Sequence, residues 1–559
     1  MIHRQAVHRF HVQARNPAAR LLSSAATRQL LTRDFIAKSL YSQDVGYFAT
    51  RDVINDLPGP LEFTSMMGEL HYRLDVKKAY ESKLSAWMTP VEVFSPYFSE
   101  ALARFIAKEA KKSSSSGEHP RKLPSNGRNK RAAGRKNVGG GDGVEHLVVY
   151  EAGGGTGTNA LNVLDWLRRE EPKLYERTEY TIVEISPRLA KLQAERVCAV
   201  HENCRVANAN VLEWGMSGEV DPRPCFFLGM ELLDNLPHDK IAWVVPDVAD
   251  GNGSKISPAA MEGQDGDRKL LCEAVVVENP DGGFREVFRP VRDPLIRELL
   301  TICPDLVAMV KNRREQPPFA VAGSERDSGS SPMAFIGKVL AGLLGSGGGG
   351  GGFGALRPEH CAAFVPTGSL RLLQALQARL PRHRAVLADF DSFDGSSETR
   401  VVGGGPAAAA ATRGGTGTGA VGAGQSPVVE NDESLTAFQA PIVSSRDPAT
   451  GSVTDHATYM VPLGTADIFF PTCFRRLAQL HATVCNSSGE CGGGIRPGGS
   501  GGGGKVVRRA KGLVVKQAEF LREFADLKAT RTFSGFNPLV DDFRNSSVFL
   551  SGAVRGDAV

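Results

Sequence analysis

The sequence predicts an α/β protein whose sheet is mainly parallel and covered by helices on both faces. Three observations carry that expectation. Short apolar runs alternate with helix-periodic segments. A glycine-rich bend follows the first of those runs, and acidic residues close several of them.

Residues 29–108 read as a helical region, most clearly over Phe94–Ala107. Leu147–Tyr150 is a short buried strand, and residues 159–169 are helical, with Leu161, Leu164 and Leu167 on one face. Tyr180–Val183 is a second strand, and Pro187 opens a helix through Val200, because proline suits the first helical turn. A third strand precedes Asn208, and Cys225–Leu228 and Ile241–Val245 are further strands. Leu370–Leu380 is helical, and Ala385–Ala388 is a strand ending in Asp389.

The 559 residues exceed one ordinary domain, but much of the length is glycine, alanine and serine tract. Residues 109–143, 246–268, 320–354, 395–430 and 486–504 read as linker or insertions, since such composition cannot offset chain entropy by burial. One catalytic domain over 144–545 is therefore expected, with 546–559 as a tail. Residues 1–33 carry six arginines and no carboxylate, so 1–28 read as a mitochondrial transit peptide. Residues 1–33 contribute +6 and the basic run 111–136 contributes +8, so with a net charge of +4 the remaining body is about −10. That balance argues against a nucleic-acid partner and suits a basic substrate. The nine cysteines form no CxxC pair, so neither a disulfide framework nor a metal site is expected. No apolar run is long enough to span a bilayer.

The first strand runs into Glu151-Ala152-Gly153-Gly154-Gly155-Thr156-Gly157 and then a helix. Glycines at such a bend let a ligand approach the backbone closely. A carboxylate directly before them repels a pyrophosphate and suits an amine-bearing ligand, such as the amino-acid end of S-adenosylmethionine. Gly153, Gly155 and Gly157 are the cofactor-cradle candidates. Glu184, closing the second strand 27 residues beyond Gly157, is placed to bind ribose hydroxyls of either S-adenosylmethionine or a nicotinamide cofactor. Asn210, after the third strand, is a candidate for the adenine amine, with a plain turn residue as the alternative. Glu231 and Asp234 follow the fourth strand, three apart, so that one helical turn would put both on one face. Such a pair could hold a guanidinium bidentately and take its proton. Both are the catalytic candidates, with helix capping as the alternative.

These residues carry a resemblance. The chain resembles the MidA family, the mitochondrial complex I assembly methyltransferases and their bacterial relatives. The likeness runs through Leu31-Thr32-Arg33-Asp34-Phe35-Ile36, Gly46-Tyr47-Phe48 and Thr89-Pro90-Val91-Glu92-Val93-Phe94, the last similar to the family's Ser-Pro-Glu segment. It continues through Glu151–Gly157, Val183–Ser186 and Glu231–Pro237, and downstream through Arg285-Glu286-Val287, Val386–Asp389 and Gly464–Ile468. The family's Gly-Pro-Gly-Arg-Gly loop has Gly154 and Thr156 here in place of Pro and Arg, and His238 stands one position early.

The resemblance implies a Rossmann-like class I methyltransferase fold. It implies S-adenosylmethionine as cofactor, no metal, and symmetric dimethylation of an arginine on a core subunit of respiratory complex I in the mitochondrial matrix. Glu151, Gly153, Gly155 and Glu184 carry over as cofactor-site residues, and Glu231 and Asp234 as substrate-facing acids. A non-catalytic complex I assembly factor and a small-molecule methyltransferase remain as alternatives.

Overall fold

The computed structural model describes residues 29–54, 57, 59–82, 87–115, 146–214, 219–244, 270–312, 361–393, 440–487 and 512–552. The segment read as a transit peptide and the stretches 246–268, 320–354, 395–430 and 553–559 lie outside them, as do 116–143 and 488–504. The linker bounds at 109 and 486 are corrected, because residues 109–115 end the helix Tyr97–Ser115 and 486–487 end the helix Phe474–Ser487. In chain order the strands are β1 (Gln29–Leu31), β2 (Leu147–Ala152), β3 (Thr178–Glu184), β4 (Cys204–Asn208), β5 (Cys225–Met230), β6 (Asp239–Val244), β7 (Leu270–Glu278) and β8 (Phe284–Pro290). They continue as β9 (Cys361–Val365), β10 (His383–Phe390), β11 (Ile442–Arg446), β12 (Val453–Asp455), β13 (Asp467–Phe469), β14 (Gly512–Lys516) and β15 (Ser546–Ser551).

The main sheet has seven strands in the order β14-β15-β10-β5-β2-β3-β4. The run from β10 to β4 is parallel, and β15 and β14 continue it antiparallel. All six residues of β2 are buried, as a strand covered on both faces requires. Its alternation divides two cores. Leu147 and Val149 pack with Val163, Leu164 and Leu167 of the helix Thr158–Glu170. Val148 and Tyr150 pack on the other face with Leu370 and Leu373 of the helix Thr367–Arg379 and Leu477 of the helix Phe474–Ser487. This is a mixed α/β fold around a parallel-rich sheet. The strand and helix expectations from Leu147 to Asp389 fall on the observed elements, but one strand joins a different sheet and the expected tail also departs from the reading.

Ile241–Val245 was expected in the parallel sheet. Instead β6 pairs antiparallel with β7 and β9 in a second sheet, which β1 and β8 extend by pairing with β7. An apolar run of this length does not reveal which sheet it joins. The second departure is the tail. Ser546–Ser551 is a fully buried strand inside the main sheet, registered Val386↔Leu550 to Phe390↔Ser546. The boundary drawn at 545 is therefore corrected.

The region 29–54 is not purely helical either. β1 joins the second sheet, and the helix Thr32–Tyr41 packs Phe35 and Ile36 against Val443, Tyr459 and Ile468 of the segment holding the third sheet, β12-β11-β13. Arg33 fastens it. One terminal nitrogen lies 2.6 Å from Asp239 and 2.8 Å from Asp293, and the other 2.6 Å from Asp293. The N-terminal segment and residues 442–470 together cover the carboxyl ends of the main-sheet strands.

Candidate functional site

The turn after β2 is built of backbone that side-chained residues avoid. Gly153, Gly155 and Gly157 all have left-handed φ, at 68°, 54° and 89°. Gly157 caps the helix Thr158–Glu170, so the bend presents N–H groups at a helix amino terminus. Apolar contacts flank the bend: Cβ atoms at Gly153 and Gly155 would lie 3.4 Å from Leu232 and 3.3 Å from Ile54.

Glu151 lies behind this bend. Asn159 donates to one carboxylate oxygen at 2.9 Å and the Tyr180 hydroxyl to the other at 2.7 Å. Burial pushes its pKa up, and those two bonds partly offset the shift. Both oxygens are thus held by protein partners. Glu184 closes β3 and is also buried. It accepts the Ser186 N–H at 2.8 Å and the Gln193 amide at 3.0 Å, and that same amide nitrogen donates to Gly155 O at 2.9 Å. The acid and the glycine bend are therefore one hydrogen-bonded unit through Gln193. Sequence reasoning missed Gln193, for an uncharged polar residue inside a helix gives no signal. Asn210 is half-buried and accepts the Leu212 N–H at 3.0 Å, the local turn bond of an asparagine before a short helix.

Glu231 and Asp234 stand beyond β5, but not on a helical turn. The chain from 231 to 237 is irregular, and Glu231 has φ of 50°. A left-handed glutamate is uncommon, and such backbone concentrates at functional sites. The Glu231 N–H bonds Ala388 O at 2.9 Å, which fixes the bend against β10. Glu231 lines a cavity with Pro90, Phe98, Asp389 and Gln517.

Asp234 is buried, and its Oδ1 has no hydrogen-bond partner among the described residues. Asp389, at the end of β10, accepts the N–H groups of Leu233 at 2.7 Å and Asp234 at 3.0 Å on one oxygen, and that of Phe390 at 2.7 Å on the other. Asp467 accepts from the Asn235 amide at 2.8 Å, and Tyr41 donates to Asn235 O at 2.9 Å. Sequence reasoning quoted Asp389 and Asp467 without giving them roles.

The electrostatics are unusual. Burial first, then mutual repulsion, drives Glu231 and Asp234 well above the usual carboxylate range. Asp389 is the repelling neighbour common to both, joined by Glu92 for Glu231 and by Asp467 for Asp234. Burial also pushes Asp389 and Asp467 up to about 7. Acids arranged this way favour a cation among them and hold protons tightly in its absence.

Glu92 joins the acids to the glycine bend. It sits in the short helix Pro90–Val93, capped by Thr89, and accepts the hydroxyls of Thr156 at 2.6 Å and Thr158 at 3.0 Å. Arg196 donates to Thr156 Oγ1 at 3.0 Å. Thr156 occupies the position of the family's loop arginine, and a guanidinium from another element reaches the same spot.

Residues 132–404 match the family described as "Putative S-adenosyl-L-methionine-dependent methyltransferase". Over 101 residues the chain is 29% identical to the protein named arginine methyltransferase NDUFAF7 homolog, mitochondrial, of Schizosaccharomyces pombe. That match spans 17% of this chain and 21% of the relative. Among solved structures, one from Burkholderia thailandensis with S-adenosyl-homocysteine bound aligns over 97% of this chain and 95% of its own, at 15% identity and TM-score 0.45. An uncharacterized protein of the same superfamily and organism aligns over 98% and 96%, at 15% identity and TM-score 0.43.

The residues fit the cofactor that the family description names. Three left-handed glycines open at a helix amino terminus, and Glu184, one hydrogen-bonded link away, retains lone pairs for hydroxyl donors. Over 132–404 the chain is similar to a family of S-adenosyl-L-methionine-dependent methyltransferases, and S-adenosyl-L-methionine is the cofactor that this match and these residues support.

Proposed function

We propose that the chain is a protein arginine methyltransferase with a Rossmann-like class I core. Its target is a core subunit of respiratory complex I, dimethylated symmetrically in the mitochondrial matrix. The observation that carries the reading is the unpartnered oxygen of buried Asp234, standing among Asp389, Asp467 and Glu231. A buried acceptor without a donor is costly unless a ligand supplies one. A guanidinium brings five donors and a permanent positive charge. The matched segment of the yeast relative and the arginine-rich amino terminus support the substrate and the compartment.

When bound, S-adenosylmethionine supplies an electrophilic methyl group on sulfonium sulfur. Gly153, Gly155 and Gly157 would cradle it and Glu184 would hold its ribose. Glu151, with both oxygens engaged, would brace the bend from behind through Asn159 and Tyr180, and Asn210 would flank the adenine. Glu231 and Asp234 would orient the guanidinium, and their raised proton affinity suits one of them to accept the proton that the attacking nitrogen loses. Asp389 would hold both acids in place through the loop backbone.

Mass spectrometry of mitochondrial proteins with and without the chain tests the reading. Loss of a dimethylarginine from one complex I subunit is the expected result. An unchanged arginine methylation pattern, with the chain still binding S-adenosylmethionine, would overturn the arginine assignment.

A further inference from the structure

The sequence suggested no metal ligands, because the residues concerned are about a hundred positions apart. The fold brings them together at the end of the main sheet opposite Asp389. His383 opens β10, while His481 and Cys485 lie four apart on the helix Phe474–Ser487, hence on one face of it. One ring nitrogen from each histidine and the Cys485 sulfur all lie within 4.8 Å of one another.

The hydrogen bonding leaves this cluster incomplete. His383 Nδ1 lies 2.7 Å from Leu380 O, a carbonyl that can only accept, so Nδ1 carries the proton. Nε2 is then a bare lone pair, and it is buried without a partner among the described residues. A backbone carbonyl fixing one ring nitrogen while the other is presented is how metal-binding histidines are oriented. His481 is 3% exposed; its Nε2 lies 3.5 Å from Cys485 Sγ, and its Nδ1 is buried with no partner among the described residues. The nitrogen that the cluster leaves open is therefore His383 Nε2, which only a donor or a cation can fill.

The spacing matches a thiophilic ion. Zinc bonds of about 2.3 Å to sulfur and about 2.0–2.1 Å to nitrogen, at a tetrahedral angle, separate the two ligand atoms by about 3.6 Å. The Cys485–His481 separation of 3.5 Å agrees with that edge. The His481 ring is held by edge contacts with His383 at 5.6 Å and Phe549 of β15 at 5.1 Å between centroids. The cluster therefore sits on a strand and a helix fixed in the core.

We propose that His383, His481 and Cys485 form a Zn²⁺ site that ties the helix Phe474–Ser487 to the amino-terminal end of β10. Two imidazoles and a thiolate fill three tetrahedral positions, and the fourth is open to water or an exogenous ligand. Lying at the opposite end of β10 from Asp389, the ion acts on stability and not on methyl transfer.

Titration of Co²⁺ into the reduced, purified full-length chain tests the site directly. The expected result is one Co²⁺ per chain, with the visible bands of a tetrahedral site and a near-ultraviolet thiolate charge-transfer band, both displaced by Zn²⁺. Cys485→Ser should abolish the charge-transfer band, and His383→Gln should weaken Zn²⁺ binding by about a hundredfold or more. A wild-type chain that binds no Co²⁺, or a charge-transfer band that persists in Cys485→Ser, would overturn the proposal. Neither readout depends on methyl transfer.

Discussion

Asp389 holds Asp234 through the main chain. One Asp389 oxygen accepts the N–H groups of both Leu233 and Asp234, at 2.7 and 3.0 Å, although 155 residues separate the two acids. The carboxylate therefore fixes the irregular 231–237 loop on the end of β10. One Asp234 oxygen is left to meet a ligand, for its Oδ1 makes no hydrogen bond to any described residue.

Asp389→Ala removes an acceptor from three buried N–H groups. Bonds to charged acceptors contribute about 1.5–3 kcal/mol each, so a loss of about 3 kcal/mol or more is expected in urea unfolding. Asp389→Asn keeps one acceptor oxygen and should cost less. Equal costs for the two variants would show that the backbone bonds do not matter.

Gly464→Ala should disconnect the loop that presents Asp467. Gly464 has φ of 70°, and a Cβ there would lie 1.6 Å from Val45 O, so the segment would have to leave the N-terminal region. The expected result is a destabilised protein in which proteolysis opens residues 460–470 first. A variant as resistant as wild type would contradict the docking.

Gly155→Ala places a side chain on left-handed backbone 3.3 Å from Ile54. Strain of about 1–2 kcal/mol, together with the filled cradle, should weaken S-adenosylmethionine binding by about tenfold or more. Calorimetric titration checks this, and unchanged affinity would place the cofactor elsewhere.

Asp389 and Asp467 are each held up near 7, mainly by burial, whereas an unfolded chain ionises such groups at about 3.9. Between those limits the folded protein binds more protons. The contribution is complete below about pH 4, declines as pH rises toward 7, and is level above it. Thermal unfolding across that interval should show wild type losing more stability than Asp467→Asn. Parallel profiles would refute the assignment.

The main sheet was legible because β2, β3, β5 and β10 are short apolar runs buried on both faces, and that pattern survives in the sequence. The antiparallel partners were not legible. Phe284–Pro290 is half exposed and mixes charge with apolar residues, and Ser546–Ser551 begins with two serines that the fold buries. In the site, Glu151, Glu184, Glu231 and Asp234 were visible as acids at strand ends. Their surroundings were not. Whether an acid faces a ligand or an internal donor, as Glu151 meets Asn159 and Tyr180, depends on side chains 8 and 29 residues away. The left-handed backbone of Glu231 replaced the expected helical turn, because pinning by Ala388 O is a long-range bond.

The most direct test of the account separates cofactor seating from chemistry in Asp234→Asn. The variant should bind S-adenosylmethionine within about threefold of wild type, measured by calorimetry. Its single-turnover methyl transfer to the arginine substrate should fall by about a hundredfold or more, as expected when a proton acceptor is lost. Transfer at the wild-type rate, with binding intact, would contradict the role given to Asp234 and to the acids around it.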